Sequence, residues 1–316
     1  MKWQRKARIQ NSIAALPIGS NAVYYAVQRS FGGLRPDKID PFDRMKAAEA
    51  MVAWAATAGF DVLGKTVLEI GTGRMVDLPI GMWLCGAERV VTVDLNPYLS
   101  ARLVSEARNI VRGSPEKVNH LFGRKENPLF QERLSILVGK RVSDSRLLRA
   151  MNVEYISPAD ASHLPIAAAT VDMHVSHTVM EHIPEDVLAA ILAEAKRIML
   201  PGGLLVHNID PSDHFSHDDS SVTRINFLQF SDAEWKRWGG NQFMYHNRLR
   251  AGDYMRLFDE GGVRVLGAKR VVDDRSATAL AGGFSLAKRF KPLSHEELAT
   301  TSLSVLGTFE RTGPSQ

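Results

Sequence analysis

From Lys65 onward the chain alternates short, valine-rich apolar runs with longer stretches of helical character. This pattern predicts a parallel sheet wrapped by helices: a strand covered on both faces needs a near-continuous apolar run, and a parallel crossover needs a helix. Thr66 to Ile70, Arg89 to Leu95, Asn152 to Ile156, Val171 to Ser176 and Leu204 to Ile209 are the strand candidates in that stretch. Val76 to Gly86 leaves room for a short crossover helix only, Pro97 to Arg112 suits a second helix, and residues 113–150 read as a polar, helical insertion. The best helix begins at Pro184, carries Glu185 and Asp186 in its first turn and sets Leu188, Ile191, Leu192, Ala195 and Ile198 on one face. Pro201-Gly202-Gly203 is expected to stop it before the next strand.

Beyond residue 250 a helix is expected over Gly252 to Glu260. The last strands are expected over Arg264 to Val272 and Ala277 to Ala287, and a helix around Glu296 to Val305 before a loose polar end. The expected class is α/β: a Rossmann-like, doubly wound, mostly parallel seven-stranded sheet with a helical N-terminal extension. Residues 1–60 form the extension, 61–290 the main domain with an inserted region at 207–250, and 291–316 a C-terminal helix and tail.

Composition narrows the setting. With 45% apolar and 23% charged residues the chain can bury a core, and no apolar run is long enough to span a bilayer. Its single cysteine, Cys85, can form neither an intrachain disulfide nor a thiolate metal cage, which fits a reducing cytoplasm. Lys2 to Arg8 followed by Ile13 to Ile18 has the look of a secretion signal, but Asn11, Ser12 and Pro17 interrupt the apolar stretch. Residues 1–46 carry nine Lys and Arg against three acids, leaving 30 against 32 in the remainder. A near-neutral body offers little phosphate-tracking surface, so no nucleic-acid partner is expected. The basic start is either a cap packed on the main domain or a peripheral contact with anionic membrane, which would make a cytoplasmic protein membrane-associated.

The strongest local signal is Leu68-Glu69-Ile70-Gly71-Thr72-Gly73, a strand running into a glycine turn. A ligand lying against the backbone at a strand's carboxyl end leaves no space for a side chain at Gly71 or Gly73. Asp94 ends the next strand, where a carboxylate can accept both hydrogen bonds of an adenosine ribose, so the pair indicates a nucleoside. The dinucleotide fingerprint needs a third Gly or Ala at position 76, and Val76 stands there. Glu69 and Asp77 put negative charge near the turn, which disfavours a pyrophosphate and is indifferent to a cationic sulfonium.

With these residues in place the chain resembles the class I S-adenosylmethionine-dependent methyltransferases from about Leu63 to Phe290. The likeness extends through Asp160-Ala161, Leu164-Pro165, Val171-Asp172, Ser176-His177-Thr178-Val179-Met180-Glu181-His182-Ile183 and Pro201-Gly202-Gly203-Leu204-Leu205. Within that family it is most similar to methyltransferases encoded among bacterial surface-polysaccharide genes. The resemblance implies S-adenosylmethionine as cofactor, with Glu69, Gly71, Thr72 and Gly73 around its methionine part, Asp94 and Leu95 at the ribose, and Asp160 and Ala161 at the adenine. It puts Ser176 and His177 where the cofactor faces the acceptor. Arg74-Met75 departs from the small residue that many members carry there.

The segment His207 to Asp219 follows a strand end and is dense in acids and histidines. It reads as a polar acceptor pocket, with His177, Asp210 and His214 as candidate catalytic residues for deprotonating a hydroxyl. His182 and His217 are further candidates for that base, with a structural histidine near a helix start as the other reading of His182. Acids and imidazoles can also bind metal, but their spacing here is loose and no metal site is assigned. Phe227, Phe230, Trp235, Trp238, Phe243 and Tyr245 would roof the pocket or pack in the core. The expected reaction is methyl transfer to an oxygen of a small-molecule or saccharide acceptor. The alternatives are a nucleotide-dependent oxidoreductase and a non-catalytic cofactor- or partner-binding module.

Overall fold

The computed structural model describes residues 1–310. Three helices come first, α1 (Trp3–Ala14), α2 (Ser20–Phe31) and α3 (Pro41–Thr57). Then follow β1 (Thr66–Ile70), α4 (Asp77–Cys85), β2 (Arg89–Val93), α5 (Ala101–Arg112), α6 (Pro115–Phe122), α7 (Pro128–Val138), α8 (Leu147–Ala150), β3 (Val153–Ile156), β4 (Val171–His177) and α9 (Glu185–Ile198). The chain continues with β5 (Met199–Ile209), α10 (Asp232–Gly239), α11 (Ala251–Glu260), β6 (Val263–Val272), α12 (Asp274–Ala281), α13 (His295–Ala299) and β7 (Thr300–Phe309). The seven strands form one sheet in the order β3-β2-β1-β4-β5-β7-β6, with only β7 running antiparallel to its neighbours. The strand order reverses between β1 and β4, the place where open α/β sheets leave a crevice.

Two apolar cores cover the two faces of the sheet. Val67, Val90, Met173 and Val206 face one core, which α3, α4, α5 and α7 complete. Leu68, Val91, Leu205 and Val305 face the other, against α9 and α11. All nine residues of α4 are buried because α3 lies over it: a Cβ on Gly81 would meet that of Ala48 at 2.6 Å. A third cluster lies outside the sheet layers, where Trp3 of α1 packs against Phe215, Phe230 and Trp238 at ring separations of 5.1–5.8 Å. The basic start of the chain is tied to the same region: Lys2 Nζ donates to Ser221, Lys6 pairs with Asp218 at 2.6 Å, and the Trp3 N–H donates to Asp219.

The structure corrects several expectations. Residues 277–287 do not form a strand: Asp273 caps α12 by accepting from the Ser276 N–H, and Gly282-Gly283 ends it. The helix expected to reach Val305 is the single turn α13, after which the chain enters β7 between β5 and β6. The sheet therefore continues past residue 290 to Phe309, and the expected polar tail beyond residue 310 lies outside the described residues. Pro201-Gly202-Gly203 lies inside β5, where the pairing with β4 shifts register; Gly202 has φ +84°, and a Cβ on Gly203 would meet the Asp172 carbonyl oxygen at 2.7 Å. The helix expected from Pro97 begins only at Ala101, capped by Ser100, which leaves Tyr98 to line the crevice.

Candidate functional site

A cavity of about 790 Å3 opens at the carboxyl ends of β1, β2 and β4, within the range of small-molecule sites. Its floor is the turn after β1. The Gly71 and Thr72 N–H groups both donate to the Val93 carbonyl, at 2.8 and 3.2 Å, and fold the turn over the tip of β2. Gly71 and Gly73 have φ of +81° and +63°, in the left-handed region that favours glycine. A Cβ on Gly71 would strike Val179 at 2.4 Å, whereas one on Gly73 would have no protein atom within 4 Å. The space above Gly73 belongs to the cavity.

Asp94 stands at the end of β2 and organises the floor. One carboxylate oxygen accepts from the Gly73 N–H at 2.7 Å, the other from the Asn96 N–H at 2.8 Å, and each keeps a further lone pair. Partial burial raises its pKa above the ordinary carboxylate value, against the pull of those two N–H groups and of Arg74. Leu95, Asp160 and Ala161 complete this end of the lining. Asp160 accepts from both the backbone and the hydroxyl of Ser162, which lowers its pKa.

Three other residues expected at the cofactor stand behind the floor. Glu69 is buried and accepts from the Thr92 hydroxyl, and Thr72 Oγ1 lies 2.5 Å from Thr92 Oγ1. Burial pushes the Glu69 carboxyl up to about 7. Ser176 is fully buried, its hydroxyl 2.8 Å from His207 Nδ1, in a chain that continues to His174.

The three candidate catalytic residues lie apart from the lining. His177 meets Asn208, Nδ1 to Nδ2 3.3 Å, and burial with the nearby Arg44 lowers it to about 4. Asp210 and His214 do come together, at 3.4 Å, with His217 3.5 Å from the same oxygen. Burial raises the Asp210 carboxyl, but His214, Ser212 and His217 more than reverse this, leaving it below the usual range. Of the histidines that are candidate bases, the one that reaches the cavity is His182.

The far wall comes from segments with no motif. Tyr24 of α2 stacks on Phe243 at 4.0 Å, and both line the cavity with Gln242 and Tyr245. Arg44 reaches in from α3, and Arg74 lies over the Tyr98 ring at 4.5 Å. Arg74, where the turn departs from a small residue, and the aromatics Phe243 and Tyr245 are the signals that the sequence offers for this wall. Of the six aromatics expected as a roof, Phe243 and Tyr245 line the cavity; Phe227 and Trp235 are buried in the third cluster, with Phe230 and Trp238 packed on it. Cys85 is buried, which pushes its thiol up to about 12. Among the described residues no helix is long and apolar enough to cross a membrane.

Residues 137–207 match the family model described as a methyltransferase domain, a segment running from the end of α7 into β5. The match supports the methyltransferase reading over the oxidoreductase one. No curated protein matches the chain. Among solved structures, the chain is similar to an S-adenosylmethionine-dependent methyltransferase from Mesorhizobium loti (14% identity, 83% of this chain and 95% of that one covered, TM-score 0.43). It is also similar to one from Methanosarcina mazei (11% identity, 81% and 97% covered, TM-score 0.47). A third is the geranyl diphosphate C-methyltransferase of Streptomyces coelicolor A3(2) (12% identity, 83% of each chain, TM-score 0.43).

Proposed function

We infer that this chain, a class I S-adenosylmethionine-dependent methyltransferase, transfers the methyl group to an oxygen of a small, carbohydrate-like acceptor. In this reading the methionine part of the cofactor lies over the Gly71–Gly73 turn. Its ribose hydroxyls donate to the free lone pairs of Asp94 beside Leu95, and its adenine sits by Asp160 and Ala161. Glu69, Thr72 and Ser176 support that floor from behind. The residues present suit such a ligand: the turn leaves open space above Gly73, and the carboxylate at the tip of β2 keeps acceptor capacity.

The sulfonium methyl is already activated, so the protein's main task is to hold the nucleophile in line at roughly 3 Å, and positioning of this kind can supply about 7–11 kcal/mol. The acceptor enters beneath Phe243, Tyr245 and Gln242, which offer apolar faces with polar tips, a match for a sugar-like molecule. Activation of its hydroxyl falls to the wall that contains His182, with His214 and Asp210 behind it. His177, held by Asn208, takes a supporting place. The observation that carries the choice of oxygen is that a cluster of imidazoles and a carboxylate opens on the cavity through His182. Incubation with methyl-labelled cofactor and a panel of saccharides and small alcohols tests this. Label in an O-methyl ether is expected; label only in N- or C-methyl products, or in none, contradicts it.

A second reading concerns the N-terminal helices. Peripheral contact with anionic lipid would use the exposed Arg5 and Arg8 of α1, and it is favoured by the exposure of Ile18 (89%) and Phe31 (79%).

A further inference from the structure

Outside the cofactor floor, the densest group of chemically capable side chains is the set of histidines behind the acceptor wall. His182 ends the turn after β4, His214 and His217 lie on the turn after β5, and His246 comes from the segment between α10 and α11. One ring nitrogen from each of His182, His214 and His246 lies within 4.8 Å of the others. The rings stand 4.1–5.0 Å apart, edge to face or tilted. Asp210, His214 and His217 form a second such trio, sharing His214.

The hydrogen bonds fix what these rings offer. His182 Nδ1 is 2.9 Å from the Tyr245 carbonyl oxygen and His246 Nδ1 is 3.1 Å from that of Met244. A carbonyl only accepts, so each Nδ1 carries the hydrogen and each Nε2 is left with a bare lone pair. Among the described residues His246 Nε2 and His214 Nε2 are buried without a hydrogen-bond partner; His214 Nε2 lies 3.4 Å from Asp210 Oδ2, poorly aligned for one. A buried acceptor without a donor, as at His246 Nε2, beside a second buried and unpartnered ring nitrogen, as at His214, is an unfavourable arrangement in protein alone, and a cation within reach of both removes the conflict. Backbone carbonyls that hold Nδ1–H and orient Nε2 are also the usual support of metal-bound histidines.

We propose that His182, His214 and His246, with Asp210 behind them, bind one dication of the zinc class at the acceptor end of the cavity. Neutral imidazoles with a single carboxylate suit zinc, whereas magnesium and calcium call for oxygen-rich sets. Because His182 belongs to the cavity wall, a position on the ion can face the acceptor, and an oxygen bound there would lose its proton more readily. That role rests on the function proposed above; the binding of the ion does not.

The test uses the full chain, stripped with chelator and reloaded with zinc or cobalt chloride. About one zinc per chain is expected to survive gel filtration, and cobalt is expected to give the intense visible bands of a four-coordinate nitrogen-rich site. His214→Ala and His246→Ala should each weaken zinc binding by about tenfold or more, while S-adenosylmethionine affinity stays at the wild-type value. A wild-type chain that retains no zinc and gives only the spectrum of hydrated cobalt overturns the proposal, and needs no variant to fold. Zinc affinity unchanged in both variants also overturns it. Failure of the chain to bind S-adenosylmethionine would count against the cofactor reading and leave the zinc result to stand alone.

Discussion

The two glycines of the turn after β1 should respond differently to the same added methyl group. Gly71 and Gly73 both have positive φ, so alanine at either position costs about 1–2 kcal/mol in backbone conformation. At Gly71 the methyl would also lie 2.4 and 2.6 Å from the two Val179 methyls, far inside the contact distance of about 3.5–4.0 Å. Overpacking of this kind adds about 1–3 kcal/mol, so Gly71→Ala should lose about 2–5 kcal/mol of stability. At Gly73 no protein atom lies within 4 Å, and the loss should stop at the conformational cost. The methyl instead enters the space assigned to the cofactor. A comparable steric cost of about 1–3 kcal/mol, now in the complex, weakens S-adenosylmethionine binding about 5- to 150-fold. Urea unfolding and titration calorimetry on the two variants, with Val179→Ala added to Gly71→Ala, separate the effects. Val179→Ala should restore part of the Gly71→Ala loss, since it removes both clashing methyls. Wild-type cofactor binding by Gly73→Ala, or a Gly71→Ala variant no less stable than Gly73→Ala, would rule out this division of roles.

Other outcomes follow from the same geometry. Burial holds the Glu69 carboxyl at about 7 against an ordinary 4.5, so its contribution to stability is complete below pH 4.5 and is lost as pH rises through 7. That separation corresponds to roughly 3 kcal/mol, and Glu69→Gln should flatten this part of a stability-against-pH curve measured by urea unfolding. His182→Ala should cut methyl transfer by about 100-fold or more while the cofactor affinity measured by calorimetry is kept; equal losses in both would put His182 in the cofactor floor. Trp3→Ala, which empties the centre of the third cluster, should cost about 3–5 kcal/mol in urea unfolding despite its place near the start of the chain. Co-sedimentation with anionic vesicles should fall when Ile18 and Phe31 are both changed to Ser, and an unchanged bound fraction removes the membrane reading.

The part of the molecule that could be read from the sequence is the part governed by local pattern. β1, β2, β4 and β5 announce themselves because a strand buried on both faces is an apolar run, and α9 because its apolar face, acidic first turn and basic last turn agree. The glycine turn is legible for a related reason: the left-handed backbone at Gly71 and Gly73 leaves few residues to choose from. β7 was not. Ser294 does cap a helix with Glu297 at its third position, but the helix lasts one turn, and Thr300 to Phe309 acquires its extended form by insertion between β5 and β6. Gly307 sits in that strand because a Cβ there would meet Val263 at 2.5 Å, a contact no local pattern discloses. The acceptor wall is legible in its aromatics Phe243 and Tyr245 alone, and its assembly is hidden in the same way. His246 and Phe243 lie in a stretch without periodicity, and tertiary contacts alone bring them against His182 and Tyr24.

A crystal structure of the chain grown with S-adenosylhomocysteine, the demethylated product, decides whether the crevice at the tips of β1 and β2 holds S-adenosylmethionine. Ribose hydroxyls are expected within hydrogen-bond distance of Asp94, with the sulfur over the Gly71–Gly73 turn. Ligand density elsewhere on the protein, with none beside Asp94, would contradict it.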